Sequence, residues 1–285
     1  MLAPLIEDAA GSPPNARFLA KASELAYLPA DKGAAAFAAE LGLNARLISV
    51  DNTQAYVAQN DDHIVVAFRG TESPTSLEGL KDWLLTDAVN LLIIPQGRLG
   101  TDLIAAGVGA KFHQGFVGAF EEVSTPLFSA LKEETARRDR PIWVTGHSLG
   151  GAVALICSWV MQRHFLSVHQ VYTYGGPMIG NKLATAAYDK EFAGRVFRYV
   201  NIPDPVPLLP TVSLIANEYI HCQKECVLGD TGGSDAALGQ FQSFASRTVN
   251  GVLQGTLFDD LWKIVTDRVN AHLLPSYHTL LEKLR

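Results

Sequence analysis

The sequence predicts an α/β protein, a mostly parallel central sheet with helices packed on both of its faces. Two observations carry this. From Phe116 to Asn201, runs with helical apolar spacing alternate with short β-rich runs, and such alternation builds parallel strands joined by crossover helices. Inside that stretch, Gly146-His-Ser-Leu-Gly150 follows the apolar run PIWVT and opens the apolar segment GAVALICSWVM. It reads as a sharp strand-to-helix junction, where small residues let neighbouring backbones pass.

Taken in order, residues 15–28 place Phe18, Leu19, Ala22, Leu25 and Ala26 on one stripe and predict an opening helix. ARLISV, QAYVAQ and HIVVAFRG follow, separated by Asp51-Asn52-Thr53 and Asn60-Asp61-Asp62. These are β-rich runs between turn residues, so two or three antiparallel strands lead into the main sheet. Helical spacing resumes from Phe116 to Arg137, then come the strand PIWVT and a helix from Gly150 to about Phe165. VHQVYTYGG is the next strand, Lys182 to Glu191 the next helix and RVFRYVN the strand after it. The segment from Phe241 to Arg285 reads as predominantly helical, with Pro275 suited to the first turn of a terminal helix. No repeat or linker divides the chain, and Gly229-Asp-Thr-Gly-Gly-Ser234 is too short to do so, which leaves one domain over 1–285.

Composition excludes several classes. With 48% hydrophobic and 18% charged residues, the chain has ample material for a core. A net charge of -6 and the lack of a Lys/Arg stripe exclude nucleic acid as a partner. No run of about 18 uninterrupted apolar residues marks a membrane span. The opening MLAPLIEDAAGSPPNA has neither a basic segment nor a long apolar one, which predicts a cytoplasmic protein. Three cysteines make no disulfide framework. On one extended strand, Cys222 and Cys226 of HCQKEC would stand roughly 13 Å apart, beyond disulfide reach.

The junction fits G-x-S-x-G, in which a strained turn lifts the serine oxygen above the sheet, here that of Ser148. A serine hydroxyl becomes nucleophilic only when a base takes its proton, and an acid must orient that base. Chain order in such sites is serine, acid, histidine. Asp204, in VNIPDPVPLLP, follows a strand and is fixed by prolines on both sides. Asp189, Glu191, Glu218 and Asp230 compete from less rigid settings. Of the three later histidines, His221 sits in a strand-like run and reads as a packed structural residue. His272 falls in a loop before the last helix and His278 inside it, and loops carry catalytic groups more often than helix interiors, so His272 is preferred.

Taken together, IVVAFRGTES, DWLLTD, FHQGF, VTGHSLGGA, YTYGGPMIGN and VNIPDPVPLLP resemble the class 3 lipase family, the fungal-type triacylglycerol lipases and their bacterial relatives, across roughly residues 20–285. The resemblance implies an α/β-hydrolase fold with a lid over the active site and cleavage of carboxylic esters through an acyl-enzyme, with no cofactor and no metal. It carries the nucleophile onto Ser148 and the acid onto Asp204. It places the histidine five residues before a tyrosine, the spacing of His272 and Tyr277, although the acidic residue usual before that histidine is Ala271 here. The oxyanion hole falls to the backbone of Leu149 and of Thr71, after the Arg-Gly pair. His147 reads as a brace on the far side of the turn and His113 as a hydrogen-bonded support.

The resemblance also places the lid at about 72–87, where Leu77, Leu80, Trp83, Leu84 and Leu85 supply one apolar face for transient contact with a lipid surface. An apolar insertion at about 88–110 offers Leu91–Ile94 and Leu103–Ala106 as further surface for an acyl chain. The implied substrates are acylglycerols or similar lipid esters. The alternatives are short-chain, feruloyl or phospholipid esters on the same triad, or a non-catalytic lipid-binding protein.

Overall fold

A computed structural model describes residues 2–71, 92–94, 96–208, 219–223, 225–229, 263 and 266–284. The chain opens with α1 (Pro13–Leu25), whose apolar stripe is buried, and continues through α2 (Ala30–Ala36) and one π-type turn, Phe37–Leu41. Strands β1 (Asn44–Val50), β2 (Thr53–Gln59) and β3 (Ile64–Phe68) form an antiparallel meander. After the short strand β4 (Leu92–Ile93), helix α3 (Gly100–Ile104) and the short strand β5 (Phe112–His113), the crossover pattern begins. Its members are α4 (Gln114–Arg137), β6 (Ile142–His147), α5 (Leu149–Arg163), β7 (Val168–Tyr174), β8 (Gly180–Asn181), α6 (Lys182–Glu191) and β9 (Val196–Asn201). Strands β10 (Tyr219–Ile220) and β11 (Glu225–Leu228) follow, then α7 (Val269–His272) and α8 (Leu274–Glu282).

The main sheet runs β1-β2-β3-β6-β7-β9-β11 and is parallel from β3 onward. Strand alternation sorts its side chains into two apolar layers, as a sheet covered on both faces requires. Val66, Phe68 and Val144 face the layer made with α3, α4, α5 and α6, whereas Val65, Ala67 and Trp143 face α1 and α8. A second sheet, β10-β8-β5-β4, is antiparallel and made of two-residue strands.

Two expectations need correction. HCQKEC is not one extended strand: β10 stops at Ile220 and β11 starts at Glu225, and Gln223 between them lies at φ 56°. Arg198 Nε donates to Cys222 O at 2.7 Å and holds this bend. Cys157, Cys222 and Cys226 are all free. Nor is the stretch after β4 a loose cover: Leu99, Leu103 and Ala110 are buried in the α4–α5 layer, and Trp159 Nε1 donates to Asp102 O at 2.8 Å. Leu103 therefore faces the core rather than an acyl chain, while Ile104 and Val108 remain exposed. The lid expected at 72–87 lies outside the described residues, as does most of the helical stretch expected from Phe241. Among the described residues no helix is long and apolar enough to cross a membrane.

Candidate active site

Strand β6 ends on His147 and α5 begins at Leu149, so Ser148 alone makes the turn. It does so at φ 56° and ψ −132°. This conformation costs a non-glycine residue about 1–3 kcal/mol and persists only where the surroundings enforce it. Here the enforcement is backbone packing. A Cβ on Gly146 would stand 2.2 Å from Gly150 O, and one on Gly150 would stand 2.5 Å from Phe68 O. Side chains at either place would push the helix N-terminus away from β3 and β6. The Ser148 N–H donates to Tyr174 O, and its carbonyl accepts from Gly151 N–H, each at 2.9 Å. Its Oγ is buried with no hydrogen-bond partner among the described residues. A serine hydroxyl held at such a turn is free to meet a substrate.

Asp204 sits in the loop beyond β9. Its N–H donates to Asn201 O at 2.8 Å and its Oδ1 accepts from Val206 N–H at 2.9 Å, which locks the loop locally. Its Oδ2 meets two side chains, His272 Nδ1 at 2.9 Å and Tyr277 Oη at 2.6 Å. An ionised carboxylate only accepts, so the imidazole proton lies on Nδ1 and a lone pair is left on Nε2. Asp204 and His272 are each 2% exposed, which excludes water from competing for these bonds. Asn201 completes the support by donating its side-chain amide to Ala271 O at 2.8 Å and its backbone N–H to Tyr277 Oη at 3.2 Å. The alanine at 271 thus leaves the backbone anchor beside the histidine intact.

His278 takes no part: its Nε2 faces Glu24 Oε2 at 2.9 Å across α1 and α8. His272 ends the single turn α7 rather than lying in open loop, and Leu273, at φ −68° and ψ 143°, breaks the chain before α8. His221 is half-buried, with Nε2 at 2.6 Å from Pro207 O, and desolvation of its ring pushes its pKa down to about 3. His113 caps α4 by accepting from Gly115 N–H at 3.1 Å and Phe116 N–H at 3.4 Å. Among the rival carboxylates, Asp189 binds Gln223 N–H and Glu191 pairs with Arg163, while Glu218 and Asp230 lie outside the described residues.

Thr71 leaves β3 beside this turn, because β3 pairs in parallel with β6 and sets Phe68 opposite Gly146. Leu149 is the first residue of α5, and the first amides of a helix have no intrahelical acceptor. Among the described residues no group of three His, Cys, Asp or Glu side chains is arranged to hold a metal ion. Tyr277 and Asn201 were not assigned a role from sequence. The spacing from His272 to Tyr277 was the available signal for one, and nothing local marked the other.

This fold and site define an α/β hydrolase with a serine elbow. The model of the family Lipase (class 3) matches residues 65–214, more than half of the chain, and the chain belongs to that family. The match takes in Thr71, Ser148, Leu149 and Asp204 and ends before His272. A secreted mono- and diacylglycerol lipase of Fusarium solani is 32% identical over 161 residues, 55% of this chain and 43% of that protein. A chloroplastic phospholipase A(1) of Arabidopsis thaliana is 31% identical over 160 residues, 53% of this chain and 34% of that protein. The aligned stretch is thus less than half the length of either relative. Among solved structures, a Rhizomucor miehei triacylglyceride lipase shares the fold with TM-score 0.56 and 24% identity, covering 75% of this chain and 78% of that one.

The cytoplasmic expectation is corrected by these relatives, since the Fusarium protein and a Penicillium cyclopium lipase, 29% identical over 180 residues, are both named as secreted. The physical reason is that an export address is separable from the folded domain, so the character of residues 1–16 does not set the compartment.

Proposed function

We propose that the protein hydrolyses carboxylic esters of acylglycerols through an acyl-serine intermediate, with Ser148 as nucleophile, His272 as base and Asp204 as the group that orients it. The supporting observation is the buried His272–Asp204 contact of 2.9 Å, beside a serine whose backbone is strained and whose hydroxyl has no partner among the described residues. In this reading His272 Nε2 takes the proton from Ser148 as its Oγ attacks the ester carbonyl carbon. The same nitrogen returns the proton to the departing alcohol, and water then repeats the sequence on the acyl-serine. The backbone N–H groups of Thr71 and Leu149 receive the developing oxyanion, a contribution of about 2.7–4 kcal/mol for each well-aimed donor. Residues 72–87 serve as the lid that admits lipid.

The names of the relatives support acylglycerols as substrates and an extracellular place of action, and the phospholipase among them supports phospholipid esters as the second substrate class. Two measurements test the proposal. Covalent labelling by a fluorophosphonate should occur in the native chain and vanish in Ser148→Ala. Rates on p-nitrophenyl esters of graded chain length, on emulsified triacylglycerol and on phospholipid should be highest on the acylglycerol. An unlabelled native chain overturns the mechanism, and a higher rate on phospholipid or on short esters overturns the substrate.

A further inference from the structure

A hydrogen-bonded chain that none of these roles uses runs behind the elbow. His147, the residue before the nucleophile, is 2% exposed. Its Nε2 lies 2.8 Å from the main-chain carbonyl of His272, and its Nδ1 lies 2.9 Å from Tyr27 Oη. The same tyrosine hydroxyl packs against Gly70, one residue before Thr71, where a side chain would collide with it. The His147 and His272 rings also lie against each other, with centroids 4.6 Å apart and planes tilted by 31°.

The partners fix every proton in this chain. A carbonyl only accepts, so His147 carries its proton on Nε2 and donates it to His272 O. Its Nδ1 is then an acceptor, to which the Tyr27 hydroxyl donates. Burial, with the neighbouring His272 second, holds the His147 pKa well below the usual histidine value and keeps the ring neutral. Burial likewise holds the Tyr27 hydroxyl protonated. The acceptor-only carbonyl thus selects this tautomer, and the Tyr27 hydroxyl, donating to Nδ1, tethers the ring from its other edge. Without it, Nδ1 is left without its donor and the ring loses its second tether.

We infer that His147, locked by Tyr27, is a positioning residue for the base, fixing by its bond to the His272 carbonyl where that imidazole stands relative to the serine next to it in the chain. The inference rests on the proposed roles of Ser148 and His272. Asp204 fixes the imidazole ring, Asn201 holds the backbone at Ala271 and His147 holds it at His272. Of these three anchors, only His147 is covalently joined to the nucleophile. Its neutrality also matters, because the charge that develops on His272 during the reaction meets no like charge at 4.6 Å.

The test compares His147→Leu, His147→Gln and Tyr27→Phe with the native chain on a soluble p-nitrophenyl ester. Glutamine can return an N–H close to the position of imidazole Nε2, and leucine cannot. Misplacing a reacting group by about 1 Å costs about 100-fold, so His147→Leu is expected to lower kcat by about 10- to 100-fold with KM unchanged within about twofold. Fluorophosphonate labelling of Ser148 should slow by the same factor, because it needs the same base. His147→Gln should recover to within about fivefold of native, and Tyr27→Phe should lose about three- to tenfold in kcat. Circular dichroism and thermal melting report the folding of each variant, and should His147→Leu not fold, the other two decide. A folded His147→Leu with native kcat, a loss confined to KM, a folded His147→Gln no better than leucine, or an unaffected Tyr27→Phe overturns the inference. A native chain that is not labelled overturns both this inference and the role of Ser148. Normal native labelling with unaffected variants overturns this one alone.

Discussion

Asp204 gathers three donors on two oxygens, so replacing it by asparagine presents the wrong group to at least one of them. The geometry survives such a change but the imidazole tautomer does not, and kcat of Asp204→Asn is expected to fall about 10⁴-fold in steady-state assays. His272→Ala should lose at least as much, whereas His278→Ala should keep kcat within about twofold, because its partner is Glu24 on α1. The nucleophile and the acid could be read from the sequence because each carries a local signature: glycines two residues either side of Ser148, prolines on both sides of Asp204. Tyr27 could not be read in the same way. Its contact spans 120 residues, and a tyrosine near the end of an amphipathic helix looks like any core tyrosine until the partner strand is in place.

At the scale of elements, the amphipathic helices and the buried parallel strands were legible because each buries a regular face. The sheet β10-β8-β5-β4 was not, since strands of two residues have no period to detect. It owes its place to tertiary contacts such as Asn181, which caps α6 by accepting from Ala184 N–H and also accepts from Lys111 N–H. The cap of α4 carries a pH prediction. His113 Nδ1 must stay unprotonated to accept two amides, and burial lowers its pKa from 6.5 to about 4. Between those values the unfolded chain binds the extra proton and the folded chain does not, so stability is intact above about pH 6.5 and falls as pH drops toward about 4. On the order of 3 kcal/mol is at stake at this residue. Urea unfolding across that range should show the loss, and His113→Asn, which caps without titrating, should make it shallower, leaving the share of other desolvated histidines such as His147 and His221. In α8, Leu281→Ala removes a fully buried side chain from the layer that also holds Tyr277, and should cost about 2–5 kcal/mol in the same measurement.

Across the whole molecule, the residues proposed for catalysis collect where the parallel strands β3, β6 and β9 end, from segments more than 200 residues apart in the chain, Thr71 to His272. That is where α/β sheets gather ligands and reacting groups. The sequence order of strands and helices was enough to anticipate this, whereas how residues 97–110 are spent was hidden in an apolar run that reads alike as cover or as core. Because Leu99 and Leu103 are core, deleting this stretch is expected to lower the melting temperature sharply and would say little about substrate choice. The exposed pair Ile104 and Val108 allows the cleaner experiment. Ile104→Ser with Val108→Ser should melt within about 2–4 °C of native and, if the stretch serves the acyl chain, lose activity on long esters more than on short ones. The left-handed backbone at residue 148 also limits how this centre can diversify. A threonine there would force a branched side chain into a conformation such residues avoid, so a single added methyl closes the route to a secondary-alcohol nucleophile. Cysteine, unbranched like serine, leaves the route to a thioester intermediate sterically open.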